Sequence, residues 1–417
     1  MSLSYKQHSA SKGFDGRLIL YYSLLVTIGW LTIFSTSYNP SADLGFSFSL
    51  PYVRQLIWIG TSVILATVIL LLDARIIQHY SYHLYLFCLL LVISTFFLGS
   101  KINGATSWIK IGSFSIQPTE FMKLATAMAL AKFFNEGKTT VEKRSMWLIA
   151  FGIILTPAFI ILLQKDTGSA LVFLSFIVLF YREGMTGTIF IFGAIAVFLF
   201  VFTLLTNEIY SLALLTFILI IAWIIDRKDK KKIIRNIIIY VVAIAFIAAV
   251  NIGYNKVLQP HQKQRIDTLL GKTSDPKGAD FNLIQSKIAI GSGGFFGKGY
   301  LNGTQTKLNF VPEQSTDFIF CAIGEEWGFM GSCALGTLFL ALVIRILRLS
   351  EKQRNPYARY YGYGIAGIIA FHFFINIGMT IGLVPIIGIP LPFISYGGSS
   401  LWAFTAMLFV FIKLNDN

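Results

Sequence analysis

Residues 285–328 read QSKIAIGSGGFFGKGYLNGTQTKLNFVPEQSTDFIFCAIGEEWG. The stretch is rich in glycine, polar groups and charge, whereas most of the chain around it is apolar. Its acid next to apolar sequence is Asp317, followed by Phe318-Ile319-Phe320. Irregular backbone at membrane depth survives only where protein or a water-filled cavity satisfies its polar groups. An ionisable residue that enters a membrane segment therefore marks a candidate functional site. The plain structural alternative is that Thr316 or Asp317 caps the next helix. The glycines before it, Glu325-Glu326 after it and a polar island upstream favour the functional reading.

The contrast with the flanking sequence sets the fold class. The chain has 417 residues, 55% hydrophobic and 13% charged. Its mean hydropathy is +0.69. That composition excludes a soluble globular domain and reads as an all-α polytopic membrane protein. A span needs about 20 apolar residues to cross the bilayer core. Candidate spans are 18–37, 53–72, 82–98, 118–135, 147–163, 169–182, 187–206, 209–226, 234–252, 318–346, 361–383 and 398–413, about twelve in all. The piece 318–326 is expected to be a partly buried, re-entrant start to its span.

The net charge of +14 does not call for nucleic acid. Most basic residues fall in short loops between apolar runs, which is a topology signal. The run Arg227 to Lys232 reads as a topology anchor touching anionic lipid. The positive-inside rule puts both termini in the cytoplasm. Three polar islands then fall on the outer face: Gly99 to Pro118, Gln164 to Gly168, and the long loop Gly253 to Thr316. Cys88, Cys321 and Cys333 lie in or beside apolar sequence without metal-type spacing. They read as small buried hydrophobes, with no disulfide framework. The polar start and the long first apolar run argue against a cleavable signal peptide.

The first island runs SKINGATSWIKIGSFSIQPTEFMKLA from Ser100. Trp108 suits either an interfacial anchor or a stacking surface for a sugar ring. Pro118 fits the first turn of a helix. Glu120 and Lys123, three apart, then share a helical face and can pair. Such a pair is either a structural lock between helices or part of a site. In the second island Asp166 can cap the following helix, or join Glu120 and Asp317 on the outer face. The glycines around Lys298 allow the backbone to approach a ligand closely. They form no Walker loop, but their N–H groups and Lys298 could meet a pyrophosphate. Pro385, Pro390 and Pro392 break the segment before the last span, which suits a cavity wall. No metal cluster is legible.

Together these motifs resemble the SEDS family of peptidoglycan polymerases, the RodA and FtsW proteins. The matching residues are GATSWI at 104–109, QPTEFMK at 117–123, QSKIAIGSGGFFGKG at 285–299, GTQ at 303–305, TDFIFCAIGEE at 316–326 and PLPFISYGGSS at 390–400. The wording GKGYLNGTQ is closer to the RodA branch. The resemblance implies a ten-helix core, here with a helical hairpin inserted at 207–252, between a cytoplasmic tail 1–17 and a short tail 414–417. The transmembrane domain would span 18–413 and hold a large extracytoplasmic loop at 253–317.

The resemblance also implies processive glycosyl transfer from lipid II, for cell elongation and shape, on the outer face of the cytoplasmic membrane. Its partners would be a class B penicillin-binding protein that supplies transpeptidation, and the elongation machinery. The family's essential acid falls on Asp317, its tryptophan on Trp108, and its Glu and Lys on Glu120 and Lys123. Gln117, Asp166, Lys298 and Gln305 lie in matching motifs and are further candidates for binding substrate. The family usually has a basic residue where Ser107 stands, and QPDLGT where this chain has QKDTGS. Lys110 and Lys165 are the candidates to replace the lost charge. The expected chemistry uses Asp317 as general base. The leaving pyrophosphate would meet Lys123, another outer lysine or a divalent cation such as Mg or Mn. A lipid II transporter and a non-enzymatic scaffold for a transpeptidase are the alternatives.

Overall fold

The computed structural model describes residues 14–38, 48, 50–102, 105–112, 114–137, 143–206, 208–257, 263–264, 266–267, 270, 272, 281–308 and 310–416. Most of the expected N-terminal tail, Asn417 of the C-terminal tail and much of the expected outer loop between 258 and 280 lie outside the described residues. Among the described residues, nine helices are long and apolar enough to cross a membrane. The other three expected spans are helical too. One of them, 118–135, carries the charged pair Glu120 and Lys123. Another, 169–182, is broken into two helices by a 3-10 turn at Phe173–Phe176.

The chain forms two compact units. Residues 184–281 make the smaller. It holds α9 (Thr188–Leu205), α10 (Glu208–Asp226) and α11 (Lys230–Ile252). Helices α10 and α11 form the hairpin expected at 207–252. Asn236 donates to Asp226 at 2.8 Å across it, and Thr216 meets Tyr240 at 2.9 Å. Asp229, in the basic run, caps α11 by accepting from the Lys231 amide.

The larger unit holds residues 1–183 and 282–417. It contains α1 (Gly16–Ser37), α2 (Pro51–Leu71), α3 (Ala74–His79), α4 (Ser81–Leu98), α5 (Pro118–Gly137), α6 (Lys143–Leu163), α7 (Thr167–Val172) and α8 (Ile177–Arg182). After the smaller unit come α12 (Phe281–Gly293), α13 (Ile319–Lys352), α14 (Pro356–Ile381) and α15 (Gly398–Asp416). Helices α5, α14 and α15 are largely buried, while α2, α4 and α6 expose much of their apolar surface. That division follows from what drives packing in lipid. Apolar faces gain little there by leaving hydrocarbon, so close approach and polar contacts choose the partners. On α14, Gly362, Gly364 and Gly367 sit against Ser350, Ala127 and the Ser175 backbone. Cys88 and Cys321 are buried as expected, but Cys333 is exposed. It lies on a lipid-accessible stretch of α13, which is no penalty for a small apolar side chain.

The first island folds in a way the sequence reading did not include. It makes a three-stranded antiparallel sheet, β1 (Gly99–Ile102), β2 (Ala105–Ile111) and β3 (Phe114–Ile116), with β2 in the centre. Gly99 pairs with Ile109, and Ile109 with Ile116.

Helix α13 kinks at Gly328, where φ is 65° and ψ is −159°. The piece before the kink, 319–326, is helical and buried. The kink is held by the glycine-rich loop. Lys298 and Gly299 donate to the Glu325 and Glu326 carbonyls at 3.0 Å, and Phe329 donates back to Gly294 at 3.0 Å. A Cβ on Gly328 would sit 2.3 Å from the Gly297 nitrogen. Gly328→Ala meets both that clash and a positive φ, so a cost of about 3 kcal/mol is expected. Gly291, in the last turn of α12, has open space around it. Thermal unfolding in detergent should show a large loss for Gly328→Ala and little for Gly291→Ala. Equal midpoints for the two would show that the kink is not fixed by this contact.

Candidate functional site

Asp317 stands just before α13, half-buried. It does not cap that helix: the cap position is Phe318, with no side-chain cap bond. Thr316 stands two residues before the cap position, and its hydroxyl donates to the Glu313 carboxylate at 2.8 Å. The capping alternative therefore fails for both residues. Instead the backbone here is clamped by the broken segment before α15. Ser395 donates to the Thr316 carbonyl at 2.6 Å, and the Tyr396 amide to the Ser315 carbonyl at 2.8 Å. Asn376 of α14 donates to the Asp317 carbonyl and to the Ile389 carbonyl, each at 2.8 Å. Pro390 and Pro392 have no N–H to build regular structure with, so side chains supply the bonds that hold this wall. The Asp317 carboxylate lies against it: a Cβ on Gly388 would be 3.2 Å from Asp317 Oδ2.

The second island reaches the same wall. A Cβ on Gly168 would be 2.8 Å from the Ile387 carbonyl. Asp166 caps α7, accepting from the Ser169 amide at 3.0 Å, and also accepts from Gln117 Nε2 at 3.0 Å. The first island joins through the backbone, where Thr106 donates to the Gln164 carbonyl at 3.1 Å. Gln117 is tied to Asp166, and Gly168 beside it and the Asp317 carboxylate both lie against the 387–388 stretch.

Trp108 is half-buried on β2. Side chains alternate along a strand, so Trp108 and the exposed Lys110 share a face. Ser107 points the other way and is buried. Lys165 is exposed and directly follows Gln164, which holds β2. Of the two proposed replacements for the missing charge, Lys110 lies on the strand that carries Trp108 and Lys165 follows the residue that holds it.

Glu120 and Lys123 form a buried ion pair at 2.7 Å. The Lys123 ammonium also meets His372 Nε2 at 3.0 Å and lies over the Phe404 ring at 5.4 Å. Taking two charges out of water costs several kcal/mol per ion, so such a pair is poor evidence of stabilisation. Lys123 is fully buried, with Glu120 and His372 as the polar partners of its ammonium. Lys307 lines a cleft of about 710 Å³ with Thr36, Tyr38, Glu313, Gln314 and Ser315.

The glycine-rich loop does not cradle a ligand with its amides. Gly297 N–H donates to the Gly293 carbonyl at 2.8 Å, and those of Lys298 and Gly299 are spent on α13. Lys298 pairs with buried Glu325 at 2.7 Å. Glu325 also accepts from the amides of Thr304, Gln305 and Thr306 at 2.7, 2.9 and 3.0 Å. Gln305 thus contributes its backbone to this clasp. Glu326 accepts from Ser35 of α1. Sequence reasoning missed the hub role of Glu325, because its partners lie up to 33 residues away. It also missed His372, a single histidine in an apolar helix.

No group of three or more His, Cys, Asp or Glu side chains gathers among the described residues.

The sequence matches the family model for the FtsW, RodA and SpoVE type, described as a cell cycle protein, over residues 16–220 and 196–417. It is 33% identical to the peptidoglycan glycosyltransferase RodA of Treponema pallidum, over 97% of each chain. It is 30% identical to the peptidoglycan glycosyltransferase MrdB of Escherichia coli K12, over 93% of this chain and 89% of that one. One solved structure, of a peptidoglycan synthase complex that coordinates polymerisation and crosslinking, matches with a TM-score of 0.68 at 27% identity, over 97% of this chain and 98% of that chain. The crystal structure of the Thermus thermophilus rod shape determining protein RodA shares the fold, with a TM-score of 0.62 at 24% identity over 97% of each chain.

Proposed function

Because the chain belongs to the FtsW, RodA and SpoVE family, we propose that it joins lipid II units into glycan strands with Asp317 as the general base. It is a multi-pass membrane protein and a peptidoglycan glycosyltransferase. The observation that carries the role of Asp317 is its placement. It sits where segments from distant parts of the chain meet, and it does no capping work for its own helix.

The step forms a bond from an acceptor sugar oxygen to C1 of the donor sugar. It breaks the bond from that C1 to the lipid pyrophosphate, and the hydroxyl proton passes to the Asp317 carboxylate. General-base catalysis typically contributes about 10²–10⁴-fold. The pyrophosphate carries the departing charge and needs a positive group. Lys307 is the side chain proposed for it, with Lys110 and Lys165 on the Trp108 side. Trp108 offers a face on which a sugar ring can stack. Gln117 and Asp166 support the same wall, whereas Lys298 and Gln305 act through the Glu325 clasp. The reaction is assigned to the outer face, for elongation and shape, by the positive-inside argument and the RodA-like wording.

The proposed partner is a class B penicillin-binding protein, since a similar solved structure is a complex that couples polymerisation to crosslinking. A divalent ion carried in with the pyrophosphate is left to assay with and without chelator. The reading predicts one polyprenyl pyrophosphate released per glycosidic bond formed. Release without bond formation would mark hydrolysis and contradict it.

A further inference from the structure

His372 is fully buried on α14, with polar groups at both of its ring nitrogens. Nδ1 is 2.9 Å from the Pro390 carbonyl. A carbonyl only accepts, so Nδ1 carries the proton. Nε2 is 3.0 Å from the Lys123 ammonium. An ammonium only donates, so Nε2 is the acceptor. The two contacts together fix one tautomer of a neutral imidazole.

Asn376 lies one helical turn further on, on the same face of α14. The two side chains between them hold three carbonyls: Pro390 by His372, and Ile389 and Asp317 by Asn376. These carbonyls adjoin Gly388, against which the Asp317 carboxylate lies. Only His372 of the two also touches the Glu120–Lys123 ion pair. A buried pair that costs desolvation is better explained by what it positions than by stability.

We propose that His372 is a positioning residue for this glycosyltransferase, coupling buried Lys123 to the wall that holds Asp317. The inference rests on the glycosyltransferase reading above. Its mechanism is geometric. The imidazole is a rigid spacer between an α5 ammonium and a backbone carbonyl beside the site. Its loss lets the 388–390 backbone move relative to Asp317. A displacement of about 1 Å in a reacting geometry can cost about 100-fold in rate. Substrate recognition lies elsewhere, so the loss should fall on kcat.

Three variants read this out. His372→Gln carries an acceptor and a donor on one group and reaches the Nε2 position. His372→Asn is shorter and keeps only the reach to Pro390. His372→Leu removes both contacts. Initial rates on lipid II, with thermal midpoints measured alongside, should show kcat down about ten-fold or more for Leu and Asn, with KM changed by less than about two-fold. His372→Gln should keep more than about a third of kcat. Where His372→Leu does not fold, His372→Asn carries the comparison, because it keeps one of the two contacts. Wild-type kcat in folded His372→Leu would overturn the proposal, as would a loss confined to KM. Equal kcat for Gln and Leu would also overturn it, since shape rather than hydrogen bonding would then matter. Wild type is run in parallel. Absence of strands from wild type would defeat the glycosyltransferase reading itself, a failure distinct from these.

Discussion

Asp317→Asn is expected to reduce strand formation by about 10³-fold or more, at an unchanged thermal midpoint. The amide has the size of the carboxylate but cannot take a proton. The backbone around residue 317 is held by Asn376, Ser395 and the Tyr396 amide, which bond to carbonyls and not to the Asp317 side chain. The cap position of α13 is Phe318, one residue further on. Loss of activity with intact folding and intact lipid II binding would be the signature of a base. Loss of folding would mean that the carboxylate is structural. Retained turnover would remove it from the chemistry.

Glu325→Gln should have a large effect on stability. Both carboxylate oxygens accept bonds. Oε1 takes Lys298 and the Thr304 and Gln305 amides, and Oε2 takes the Thr306 amide and hydroxyl. An amide turns one acceptor into a donor aimed at other donors, and it leaves Lys298 without its counter-charge. Lys298 is a quarter exposed and can hydrate, so the cost is that of a buried amide facing donors, about 1–3 kcal/mol. The clasp also pins the glycine-rich loop onto the kinked helix that follows Asp317. We therefore expect a fall in midpoint, proteolytic cutting within 298–306, and loss of strand formation. An unchanged midpoint would show that the loop is held by its backbone bonds alone.

How much of this was legible in the sequence depended on how local each cause was. Long apolar runs mark helices because the bilayer itself sets their length, and every expected span has a helix. Asp166 was readable as a cap because its partner is the Ser169 amide, three residues on. The sheet was missed. Its strands, Gly99–Ile102 and Phe114–Ile116 among them, are too short to show a period and exist only through pairing with β2. Lys298 was read as a ligand for pyrophosphate because sequence displays the charge and hides Glu325, its partner 27 residues away. Lys123 was read the same way, although the fold encloses it between Glu120, His372 and Phe404. Asp317 could be singled out, but not its release from capping, which depends on contacts from α14 and the 389–396 segment.

The most direct measurement is strand synthesis from purified lipid II, presented on the accessible face, by the purified chain with a class B penicillin-binding partner. Products are resolved by length, with Asp317→Ala in parallel. The account predicts long strands from wild type and none from the variant. Translocation of lipid II without polymer, or equal polymer from both proteins, would contradict it.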